Sequence, residues 1–79
     1  MKTDITVTAD DRARLDRLVT DRNTPAKVVW RAQIILATAD GESVKAIARS
    51  TGKSKPCVWR WQKRFAEEGV EGLLRDKTR

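Results

Sequence analysis

The sequence predicts an all-α fold, a small helical bundle built around a helix-turn-helix. Three observations predict it. Apolar residues recur at i, i+3 and i+4 along most of the 79 residues, the spacing of one helix face. Thr8, Thr24, Ser43 and Ser54 each stand just ahead of such a run, and a Thr or Ser oxygen there can accept from the unpaired N–H groups that open a helix. Gly41, Gly52 and Gly69 follow the runs, where a helix commonly stops. No segment shows the alternation of a strand.

The bulk numbers bound the rest. A chain of 79 residues makes one domain, and at this size only about 60% of the unfolded surface is buried, so the core is small. The domain is read as 1–74, with the helix-turn-helix at about 43–68 and a basic tail or linker start at 75–79. The one cysteine, Cys57, and the lack of histidine exclude an internal disulfide and a Cys/His zinc site. No cofactor, metal or small-molecule ligand is expected. The longest apolar stretch, Ile34 to Ala37, has four residues, too few for a signal peptide or a membrane span. The expected compartment is the cytoplasm, at the bacterial nucleoid.

Taken in order, Ile5 and Val7 form a short extended lead. Thr8 caps the first helix, and Asp10 and Asp11 suit its positive end. Leu15, Leu18 and Val19 are its apolar stripe, and it ends near Thr20. Thr24-Pro25 predicts the second start, a capping threonine with proline at the first helical position. This helix runs to about Ala39 and carries two apolar arcs: Val28, Ala32, Ile35, Leu36 and Ala39 on one side, Trp30, Ile34 and Ala37 on the other. Lys27, Arg31 and Thr38 separate them. A helix apolar on two sides belongs at the centre of a bundle; the alternative is that Trp30 and Ile34 form a homodimer patch.

Ser43 caps the third helix, whose core face is Val44, Ile47, Ala48 and Thr51. Gly52 stops it, and Ser54 caps the fourth. Pro56 is acceptable in a first turn, where backbone N–H groups lack helical partners. Val58, Trp61 and Phe65 make a narrow core stripe, and Gly69 ends the helix. Val70 to Leu74 adds a short turn whose leucines fold back on the bundle.

Charge singles out the third and fourth helices. Net charge is +6, yet residues 1–40 carry seven Lys/Arg against six Asp/Glu, and residues 41–79 carry ten against five. From Ser43 to Phe65 there are seven basic residues and no acid, a field that attracts polyanions. Two helices joined by a glycine turn, with the small Ala48 at their approach, have the pattern of a helix-turn-helix. Its second helix can enter the major groove of double-stranded DNA. Arg60, Lys63 and Pro56 lie opposite the core stripe, with Trp59 on one flank and Arg64 on the other. Arg60 is the candidate base reader, since its planar fork matches the O6 and N7 edge of guanine. Lys55 and Lys63 are candidate phosphate contacts, as are Lys45 and Arg49 on the preceding helix and Lys53 in the turn. Ser54 and Lys55 stand at the helix N-terminus, where a phosphate is favoured. Trp59 either packs on a thymine methyl or a sugar, or packs internally against Leu73 or Leu74.

The elements Arg31-Ala32, Ile35-Leu36, Asp40-Gly41, Ile47-Ala48, Gly52-x-Ser54, Val58-Trp59-Arg60-Trp61, Arg64-Phe65 and Gly69-Val70-Glu71-Gly72-Leu73 resemble the N-terminal domain of bacterial insertion-sequence transposases of the mariner superfamily, the IS-six-thirty type. The likeness covers residues 30–79 well and the first helix loosely. It implies a homeodomain-like or winged-helix-like domain, here with no clear wing, that binds terminal inverted repeats. In such transposases a separate RNase-H-like domain cuts DNA with three carboxylates and divalent metal. The acids of this chain lie in or beside short helices and turns, so no catalytic residue is expected in it. Lys53 stands where the family usually has an apolar residue, and Lys55-Pro56-Cys57 replaces a polar run, so base preference does not carry over. Two other roles fit the same residues: a stand-alone transcriptional regulator, or a helical protein-interaction domain using the Trp30 and Ile34 patch.

Overall fold

Each expected cap residue but one opens its helix in the computed structural model, which describes residues 7–75. The elements are α1 (Ala9–Thr20), α2 (Ala26–Ala39), α3 (Val44–Thr51), α4 (Lys55–Glu68) and α5 (Val70–Leu74). Among the described residues there is no strand. Thr8, Ser43 and Ser54 each accept a backbone N–H three residues on, from Asp11, Ala46 and Cys57. Ile5 and residues 76–79 of the tail lie outside the described residues.

The exception is the start of α2. Thr24 does not cap, and Pro25 is the cap residue rather than the first helical one. Its carbonyl oxygen accepts from Val28 N at 2.9 Å and Val29 N at 3.1 Å. A proline ring holds φ near −65° both inside a helix and just before it, so it does not choose between the two places. The Thr24 N–H donates to the Asp21 carbonyl at 3.2 Å, which turns the chain before the helix begins. At the other end Glu42 N donates to Ala37 O and Gly41 N to Thr38 O, 3.1 and 3.0 Å, the paired closure of a Schellman stop.

The helix α2 is central, touching α1, α3, α4 and α5. One core joins Leu15 of α1, Ala32, Ile34 and Ile35 of α2, Ile47 of α3, Val58, Trp61 and Phe65 of α4, and Val70 and Leu73 of α5. Both apolar arcs of α2 are therefore used within the chain. This corrects the homodimer patch: Ile34 is fully buried, and the half-buried Trp30 stands edge-on to Trp61, centroids 6.1 Å apart. The second arc is covered by α4 of the same molecule, so Ile34 offers nothing to a partner.

Arg31 is also not the surface separator that its wheel position suggests. It is buried, with its guanidinium carbon 4.1 Å from the Trp61 ring centre and 5.6 Å from that of Trp30. Its Nη1 donates to the carbonyl oxygen of Leu73 at 3.1 Å. A charge taken out of water this way needs compensation, which aromatic faces and a backbone carbonyl supply. Gln62, buried as well, donates to Thr38 Oγ1 at 2.9 Å, and Thr38 donates to Ile34 O at 2.8 Å. These two polar links sew α2 to α4 and α5. An exposed pair, Arg12 to Asp40 at 2.8 Å, joins α1 to the end of α2 and adds little at a solvated surface. No helix among the described residues is long and apolar enough to cross a membrane.

Candidate nucleic-acid interface

The turn between α3 and α4 sets the geometry. Gly52 has φ 74°, a conformation open to glycine and costly for side chains with a Cβ. Its N–H and that of Lys53 both donate to Ala48 O, at 2.9 and 3.1 Å. The helix is thereby closed within one residue, and Ser54 starts the next. Ile47 and Val58, both fully buried, are the apolar seam between the two helices. The side of α4 away from that seam is left to solvent.

Most of the candidate residues come together there. Lys55, Pro56, Trp59, Arg60 and Lys63 are exposed along α4, Ser54 is exposed at its cap, and Lys45 and Arg49 are exposed on α3. Pro56, Trp59, Arg60 and Lys63 fall at i, i+3, i+4 and i+7, one face of a helix. Trp59 is 51% exposed. The leucines are engaged elsewhere: Leu73 is consumed by the core, and Leu74 lines a groove with Arg14, Arg17 and Leu18 of α1.

Two candidates are committed elsewhere. Arg64 is turned to α5: its Nη2 donates to Arg75 O at 3.1 Å, its Nε lies 3.7 Å from Glu68 Oε2, and its guanidinium sits 5.3 Å from the Trp61 ring centre. Only 14% of its side chain is exposed, so the structure gives it a bracing place rather than a surface one. Lys53 is half-buried, its Nζ 4.4 Å from the centre of the Trp30 ring, which pins the turn against α2. The basic residues that the wheel separates only by angle are thus separated by what surrounds them.

The N-terminus of α4 is a narrower anion site than its position suggests. Proline 56 has no N–H, and the Cys57 N–H already reaches Ser54 Oγ at 3.3 Å. The Lys55 backbone and ammonium remain. Charge along α4 runs against the helix dipole: no acid in the first turn, no base in the last, with Lys55 at the positive end and Glu67 and Glu68 at the negative one. Each reversal costs about 0.3–1 kcal/mol at low salt. At the C-terminal end Arg64 stands 3.7 Å from Glu68, whereas the N-terminal end, where positive potential is greatest, has no acid to offset Lys55.

Arg31 and Gln62 escape sequence reasoning, since nothing in their spacing tells a buried polar side chain from a solvated one. Among the described residues, no three of His, Cys, Asp and Glu gather as a group that could hold a metal ion. A family model described as a homeodomain-like domain matches residues 25–74, which spans α2 to α5 with the turn at Gly52 inside it. Neither the curated proteins nor the solved structures yield a match.

Proposed function

The chain belongs to the homeodomain-like family, and from that premise, which suggests DNA binding, we propose that it reads double-stranded DNA sequence-specifically through α4. In this reading α4 lies in the major groove with Pro56, Trp59 and Arg60 toward the base edges, and α3 crosses above it. Arg60 meets a guanine edge. Lys45, Arg49, Lys55 and Lys63 hold phosphates and set the register. The observation that carries the reading is the exposed, acid-free N-terminal part of α4, whose charge opposes its own dipole.

We further propose that the DNA is the terminal inverted repeat of a mobile element, and that this domain serves a transposase. Support comes from the resemblance of residues 30–79 in motifs beyond the turn itself. The Gly69-x-x-Gly72-Leu73 string is among them, and there each residue has a structural use: Gly69 stands at the α4–α5 corner with φ 72°, Gly72 allows close packing and Leu73 fills the core. In this proposal α3 and α4 bind the repeat and strand cutting belongs to other parts of the transposase, a division supported by the scatter of the acids among the described residues.

Salt titration of duplex binding, followed by fluorescence anisotropy, tests the reading. Four phosphate contacts predict a slope of log K against log salt of about −3.6, at about −0.9 per contact. A slope near zero would overturn it. The repeat assignment predicts that the preferred motif occurs, inverted, at both ends of the element encoding the chain; a motif absent from those ends would leave a DNA-binding domain of another use.

A further inference from the structure

Trp59 is out of keeping with its helix. The other large apolar side chains of α4, Val58, Trp61 and Phe65, are all buried, while Trp59 keeps 51% of its surface in water. Pro56, three residues earlier, is exposed too, and residues three apart are neighbours on a helix surface. The pair makes a small apolar island. Lys55 stands four residues before Trp59, Lys63 four after, and Arg60 beside it, all exposed. The ligand of such an island has to be an apolar group embedded in a polyanion.

Duplex DNA carries one such group on the base edges of the major groove, the C5-methyl of thymine. The methyl of 5-methylcytosine projects from the same ring position. Sugars are the other apolar surface of DNA, but they lie along the backbone, the side that the flanking lysines serve. We propose that Trp59, together with Pro56, holds the methyl group of a 5-methylpyrimidine, next to the base pair that Arg60 meets. This inference rests on the DNA reading above and deepens it. Its consequence is that binding responds to cytosine methylation wherever the site has cytosine at that position.

The test uses the whole chain and its preferred duplex, with each thymine replaced in turn by deoxyuracil, which removes one methyl and keeps the pairing. One position is expected to weaken binding about fourfold, equivalent to the burial of one carbon unit at about 0.8 kcal/mol. At that position a 5-methylcytosine·guanine pair is expected to bind about fourfold tighter than cytosine·guanine. Trp59→Ala is expected to erase both differences; the native protein alone already gives the first. Site-specific binding indifferent to every uracil overturns the methyl contact and leaves DNA reading intact, as does an equal uracil effect in Trp59→Ala. Failure to bind any duplex overturns both.

Discussion

Arg31 puts a guanidinium inside a bundle whose core is largely apolar, and the surroundings explain how. Two indoles and a carbonyl replace its water. Arg31→Ala removes the packed stem, the ring contacts and the donor to Leu73 O together. The expected loss is about 2–4 kcal/mol of stability, read as a lower urea midpoint; an unchanged midpoint would mean the stack contributes nothing. At the surface the reasoning is different. Lys63→Ala should leave the fold alone, weaken all duplexes alike and reduce the salt slope by about one. A loss confined to one sequence would make Lys63 a reader instead. Side-chain roles were the least legible part of the sequence. Exposed Arg60 and buried Arg31 have the same composition-level signature, and periodicity assigns an angle without saying what covers it. Arg64 went the same way: its flank on α4 is where α5 lies, which only the three-dimensional path of the chain decides.

Elements were far more legible. Caps and stops are local chemistry, so Thr8, Ser43, Ser54 and the glycines after α2, α3 and α4 mark helix ends within the sequence itself. Pro25 shifted by one residue because its ring fits two adjacent places equally. The two glycines that matter most do so for different reasons, and two substitutions separate them. Gly52 needs its backbone angle: a Cβ there would meet nothing within 4 Å, yet φ is 74°. Gly52→Val should cost about 1–3 kcal/mol through backbone strain alone. Gly72 needs space instead: a Cβ would stand 2.8 Å from Glu68 Cβ and 3.2 Å from the Arg64 carbonyl oxygen. Gly72→Ala should push α5 off α4 and lose about 1–3 kcal/mol, although alanine is the better helix residue. Thermal unfolding measures both, and a neutral Gly72→Ala would show that α5 moves without consequence.

At the scale of the whole molecule, α2 at the centre divides the labour. Its two apolar arcs are both covered from within, which is why the Trp30 and Ile34 surface is not available and why the wheel, blind to the partner helix, allowed a dimer. With the apolar faces satisfied, the charged side chains that α3 and the first nine residues of α4 leave exposed are all basic, and what α4 adds to them there is one indole and one proline. The charge asymmetry between the two halves of the chain was visible in the sequence; that the seven cations resolve into five exposed side chains and two braces, Arg64 and Lys53, was not. The central claim is that α4 reads bases as well as phosphates, with Arg60 as reader. Binding-site selection from a random duplex library, repeated with Arg60→Ala, tests it most directly. The native chain should recover one motif containing a guanine, and Arg60→Ala should lose about 1–3 kcal/mol on it and relax choice at that base pair. Recovery of the same motif with the same guanine preference would contradict the claim.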